Sequence, residues 1–204
     1  MKKASLYSDE IWDEFCEKFG TTEEEFNLKK YPQFDPYYDF FNSSSKLKKL
    51  VSDSSLKSVS QHSFLPFVKI LTKTPRYRYQ KKHQLYGLET KIRPIAFASH
   101  FDTYLYAFYS YVLTEKYQDY IIKKGFSDSV LAYRTDLNGK CNIQFAKQAF
   151  DDVRKHFTKN GECAVIALDI TGYFDNIDHF TLKEKWCKII DEKVLIDKIE
   201  DKIR

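Results

Sequence analysis

The sequence predicts an α+β protein, on three observations. Residues 69–93 carry eight Lys or Arg against a single acid, Glu89, and within them Arg76, Tyr77, Arg78 and Tyr79 alternate with the two-residue period of a strand. Residues 101–123 are a long run in which Leu105, Phe108, Tyr109, Val112 and Leu113 fall on one helical face. Residues 164–168, A-V-I-A-L, are too short for a helix, rich in strand formers, and deliver Asp169 to a strand end. The expected architecture is a helical entry, a small sheet with packed helices, and the opening strand of a second sheet.

The bounds agree with that class. A chain of 204 residues and 24.2 kDa holds one medium domain or two small ones, and 43% hydrophobic content is ample for a core, which excludes a disordered chain. Fifteen Tyr, seventeen Phe and two Trp supply rings that pack in a core or stack on bases, and most are expected in the core. The net charge is only +4, yet residues 69–93 alone carry +7, so the positive charge is concentrated. Cys16, Cys141, Cys163 and Cys187 are widely spaced and show no zinc-ligand pattern. The amino terminus turns acidic before an apolar stretch develops, and no run approaches the ~18 apolar residues of a membrane span. These features predict a cytoplasmic protein with reduced thiols and no membrane partner.

Taken in order, residues 8–19 read as a helix, with Ser8 as cap, Ile11, Trp12, Phe15, Cys16 and Phe19 at helical spacing, and Gly20 as stop. Thr22 and Glu25 have the spacing of a capping box for a short second helix. Two prolines make residues 31–41 irregular chain anchored by its aromatics. The Ser/Lys-rich residues 42–60 read as a short basic helix or a mobile connector, and hold the internal boundary if there is one. In the basic segment the alternation puts both arginines on one face and both tyrosines on the other, with Lys81, Lys82 and His83 at a turn. Such a hairpin suits phosphate, while its bland counterpart is a solvated edge strand guarded by lysines. A strand over 92–98 then leads into the long helix, with Asp102 in its first turn. Residues 142–157 form a further helix with Ile143, Ala146, Phe150 and Val153 inward and Asn160-Gly161 as its stop. After Asp169, Thr171-Gly172 permits a tight turn, and Asp175 and Asp178 read as turn and helix-cap residues.

Residues 169–179, D-I-T-G-Y-F-D-N-I-D-H, resemble the first palm motif of reverse transcriptases of the bacterial and group II intron type. K-I-R-P-I-A-F and the apolar helix after it resemble the first fingers motif, and S-V-L-A-Y-R, residues 129–134, the second. Where intron-type enzymes carry a Gly-Ile-Pro-like turn, this chain has Ala96-Phe97-Ala98-Ser99-His100, which is closer to the abortive-infection and defence-associated enzymes. The resemblance covers most of residues 60–190. It implies a right-hand polymerase fold: an extension over 1–60, fingers over 61–160, and the start of a palm over 161–204.

That resemblance also implies a chemistry. A primer hydroxyl attacks the α-phosphate of a deoxynucleoside triphosphate, and two magnesium ions about 3.5–4 Å apart assist the attack and the leaving oxygens. Asp169 is the implied ligand of both ions, and the carbonyl of Ile170 is a second oxygen donor. Phe174 matches the aromatic position beneath the sugar that excludes a 2′-hydroxyl. Lys91, Arg93 and Arg134 are implied contacts of the dNTP, the two arginines flanking one site because their strands pair in the fingers sheet. Arg76, Arg78, Lys81 and Lys82 of the basic hairpin are the expected nucleic-acid contacts, and the resemblance implies that the nucleic acid is an RNA template with a DNA primer. The family's later carboxylates, usually on a Tyr-x-Asp-Asp hairpin, do not follow Asp178, where the sequence continues as a charged amphipathic helix. The expectation is therefore an incomplete palm with little polymerase activity alone. Its missing palm and thumb would come from the same longer chain or, less simply, a second one. A role in bacterial anti-phage defence rests on the resemblance alone. A haloacid-dehalogenase-like phosphatase is set aside because Thr171 stands where its general-acid Asp belongs. A non-catalytic RNA-binding module on a fingers scaffold stays open.

Overall fold

The computed structural model describes residues 6–19, 31–35, 40–80, 84–134 and 136–190. It mixes helix and strand in the order α1 (Asp9–Lys18), α2 (Phe40–Val51), α3 (Lys57–Ser60), β1 (Val68–Gln80), β2 (Leu85–Phe97), α4 (His100–Lys124), α5 (Asn142–Asn160) and α6 (His179–Ile189). Two 3-10 turns, Ser127–Ser129 and Phe174–Asn176, lie between the later helices. The chain divides into two compact units, Ser5–Ser110 and, from Tyr111 on, the remainder, so α4 contributes residues to each.

In the first unit α1 starts where the sequence predicts, because Ser8 Oγ accepts the Ile11 N–H at 3.2 Å. Asp9 and Glu10 complement the positive helix end. Trp12 and Phe15 turn inward and meet Phe108 of α4 at ring separations of 6.0 and 5.4 Å. Phe15 and Phe108 are wholly buried, and burying such a ring contributes roughly 1.5–3 kcal/mol. Leu47 and Val51 of α2 join this core, and Lys48 ties α2 to α1 by pairing with Asp9 at 2.9 Å. Gly20 and the Thr22–Glu25 segment lie outside the described residues.

Irregular chain was expected through residue 41, but the helix already begins at Phe40, four residues past Pro36, where the proline ring no longer obstructs it. The Ser/Lys-rich stretch is helical over α2 and α3. Asp53 joins those two helices, accepting the N–H groups of Ser55 at 2.9 Å and Ser58 at 2.8 Å together with both hydroxyls. These bonds hold its carboxyl well below the usual carboxylate range.

The β1 and β2 strands make one antiparallel ribbon of thirteen register pairs, from Val68 opposite Phe97 to Gln80 opposite Leu85. The β2 strand is longer than the expected 92–98, and α4 runs one residue beyond the expected helix at each end. The α4 start is capped by Ser99, whose Oγ accepts the Asp102 N–H at 3.1 Å. Leu105 and Phe108 are buried, as the helical spacing predicts, and Phe101 and Tyr104, which it did not single out, are buried too. The anchoring expected of residues 31–35 is present. Tyr31 stacks on Phe97 at 4.6 Å and bonds Thr103 Oγ1 at 2.7 Å, while Gln33 Nε2 donates to the Phe97 carbonyl at 3.0 Å.

In the second unit Tyr111, Val112, Ile121, Cys187 and Ile190 are buried. Three sequence expectations are corrected here. Residues 129–134 are not a strand: the Ser127–Ser129 turn is followed by irregular chain. The Arg134 guanidinium accounts for this by gathering the carbonyls of Ser127 and Val130, which an extended backbone would carry out of its reach. The α5 helix and its Gly161 stop occur as predicted, but its Ile143 and Phe150 are exposed rather than packed inward. Residues 164–168 are neither strand nor buried, with Ile166 82% exposed. A strand exists only with a neighbour to complete its hydrogen bonds, and no described strand pairs with this one. The aromatics, too, are more often exposed than buried among the described residues.

Candidate functional site

Because register partners in an antiparallel ribbon share a face, the β1–β2 pairing sorts its side chains into two sets. One face carries Arg76 and Arg78 from β1 and Glu89, Lys91 and Arg93 from β2, with Lys91 opposite Thr74 and Arg93 opposite Thr72. Four of the predicted contact residues thus come together on one surface. The separation of arginines from tyrosines read from the R-Y-R-Y alternation holds. Lys81 and Lys82, the expected turn residues, lie outside the described residues.

Glu89 is the feature of this face that sequence reading missed. It sits opposite Arg76, with its carboxylate 3.4 Å from the Arg76 guanidinium and 3.8 Å from that of Arg78. Two guanidiniums share one acid, so the distal cluster stays cationic. These pairs are partly exposed, where an ion pair contributes about 0–1 kcal/mol and yields to a competing anion. Arg76 Nε is buried without a hydrogen-bond partner. The signal available in the sequence was Glu89 itself, the lone acid in a basic hairpin.

Behind the ribbon, two His–Asp pairs fix the start of α4, and neither was foreseen. Asp102, 2% exposed, accepts from the His62 ring at 2.6 Å and from the Leu65 N–H at 3.1 Å. Asp35 accepts the N–H groups of His100 at 2.9 Å and Phe101 at 3.0 Å and lies 2.9 Å from the His100 ring. Burial opposes its ionisation, but the two N–H donors and the imidazole prevail and hold the carboxyl below the usual range. These pairs span 40 and 65 residues of sequence. Together they clamp the chain that precedes the ribbon to the helix that follows it.

In the second unit the Asp169 segment folds into a tight turn. Gly172 takes φ 64°, a conformation costly for other residues, and its carbonyl accepts Asn176 Nδ2 at 2.8 Å. The Phe174–Asn176 turn follows, and the Tyr173 and Phe174 rings meet edge-on at 5.5 Å. Asp169, Ile170 and Phe174 are all exposed. Asp178 performs the predicted cap: its Oδ1 accepts the Thr181 N–H at 2.7 Å, which holds its carboxyl below the usual range. Asp175 lies inside the 3-10 turn, as expected.

Arg134 belongs to the second unit and Arg93 to the first, and among the described residues no strand pairing joins them. The Arg134 guanidinium is engaged by the Asp136 carboxylate, which also raises its pKa. Its local role is to close the turn after α4.

Among the described residues no three His, Cys, Asp or Glu side chains gather where they would hold a metal ion. Asp169, Asp175 and Asp178 are all exposed, but Asp178 is committed to capping its helix and Asp175 lies in the 3-10 turn, which leaves Asp169 with the Ile170 carbonyl beside it in sequence. Those residues do not fit a two-magnesium site. Among the described residues, too, no helix is long and apolar enough to cross a membrane. No protein-family model matches the chain, and no curated protein matches it.

Proposed function

We propose that the chain is the fingers and opening palm segment of an RNA-directed DNA polymerase, acting on an RNA template, a DNA primer and deoxynucleoside triphosphates. The observation that carries the reading is the 169–179 segment. Its Gly172 turn and Asp178-capped helix hold a fixed local form while Asp169 and Phe174 remain exposed for a ligand. On this reading Phe174 lies beneath the incoming sugar and excludes a 2′-hydroxyl. The exposed apolar residues 164–168 are the edge on which further palm strands pair, bringing the carboxylates that magnesium needs.

The test is DNA synthesis with magnesium, an RNA template, a DNA primer and deoxynucleotides, by this chain and by its gene read beyond Arg204. Synthesis by the longer product, lost in Asp169→Ala, supports the proposal. In the same product Phe174→Ala admits ribonucleotides. Synthesis by neither product, with RNA binding intact, overturns it in favour of a second reading, a non-catalytic nucleic-acid-binding module. That reading draws on a separate observation, the four cations gathered on one ribbon face.

A further inference from the structure

The arginine face leaves the opposite side of the ribbon unexplained. There Tyr77, Tyr79 and Tyr86 share one surface, since Tyr79 is paired with Tyr86 and Tyr77 lies two residues along the same strand. Tyr79 and Tyr86 meet edge-on at 5.3 Å, and Tyr77 and Tyr86 are diagonal neighbours, a relation that spans about 7–8 Å. Tyr77 is 76% exposed and Tyr86 71%. Lys69 and Lys73 stand on this face toward the base of the ribbon.

We propose that this tyrosine face binds single-stranded nucleic acid, with bases stacked on Tyr77, Tyr79 and Tyr86 and phosphates held by the lysines alongside. The proposal deepens the nucleic-acid reading above and rests on it. Rings in a row within a basic segment are the chemistry of a stacking platform, which tolerates any base because every base has a π-face. A duplex hides those faces and a single strand offers them. Charge argues against the other natural occupant of an exposed aromatic face, a second copy of the chain. The ribbon segment carries +7, and two such segments face to face repel. A polyanion meets the same charge with attraction and releases counterions. On this face the tyrosines hold the bases, and Lys69 and Lys73 hold the phosphates.

The experiment is a fluorescence-anisotropy titration of the full chain with a mixed-sequence single-stranded RNA 20-mer, the same sequence as DNA, and its RNA duplex. Tighter binding to either single strand than to the duplex is expected, and the two single-stranded arms tell whether the sugar matters. Tyr77→Ala and Tyr86→Ala each weaken single-strand binding by about 5- to 150-fold, the value of one stacked base, whereas Tyr77→Phe and Tyr86→Phe retain it. The salt dependence separates the two kinds of contact. The tyrosine variants leave the slope of log affinity against log salt unchanged, while Lys73→Gln makes it shallower by about 0.7. Binding that does not distinguish Tyr77→Ala from the parent overturns the proposal. So does concentration-dependent dimerisation in sedimentation that Tyr77→Ala abolishes, which would give the face to a second copy. Neither result touches the polymerase reading, whose failure appears instead as absent synthesis by the longer product.

Discussion

Replacing Asp102 with alanine tests what holds the base of the ribbon. The carboxylate is 2% exposed and is the acceptor for both the His62 ring at 2.6 Å and the Leu65 N–H at 3.1 Å. Removing it strands two donors, each at about 1–3 kcal/mol when buried. The His62 side chain is 18% exposed, so water relieves part of its loss. The expected cost is about 3 kcal/mol, the lower end for breaking a buried pair from one side. For a chain of this length that lowers Tm by about 6–12 °C. Urea denaturation followed by far-UV circular dichroism reads it as a lower midpoint with an unchanged slope. Asp102→Asn keeps an acceptor for Leu65 and should cost about half as much. A loss below about 1 kcal/mol for Asp102→Ala, or full additivity with His62→Ala in a double-mutant cycle, would refute the clamp.

Phe108→Ala, which empties a fully buried site between Trp12 and Phe15, should cost about 3–5 kcal/mol in the same assay. Asp35 gives a pH signature. Its carboxyl is held below the usual range, so its contribution is complete above the unfolded value near about 4 and is lost as pH falls through the lower folded value. Asp35→Asn should flatten that part of the acid limb in thermal melts taken between about pH 5 and 2. Gly172→Ala places a side chain at φ 64° and 3.1 Å from Asn176 Nδ2, at about 1–2 kcal/mol of local strain. It should impair synthesis by the longer product while leaving RNA binding at the parent level, as measured by anisotropy.

What could be read from the sequence was what short-range chemistry decides. The R-Y-R-Y alternation gave the ribbon its two faces, Ser8 and Asp178 were recognisable caps, and Asp102 marked the first turn of α4. What could not be read depends on partners distant in the chain. The Ala164–Leu168 run has strand composition but no described strand beside it, and composition cannot supply hydrogen bonds. The α5 pattern showed an apolar face without showing what would cover it. Residues 129–134 failed as a strand because Arg134 found nearer acceptors in the Ser127 and Val130 carbonyls. The His62–Asp102 and His100–Asp35 pairs join residues that no local pattern connects.

The bare backbone of residues 164–168 also has a consequence in time. With no ladder partner among the described residues, its amides should exchange with deuterated water at nearly the rate of an unfolded peptide, while those paired between β1 and β2 persist far longer. A strand that came to lie beside this segment would slow those same amides by orders of magnitude. Isotope uptake at five consecutive positions would therefore report the completion of a sheet before any enzyme activity was measured.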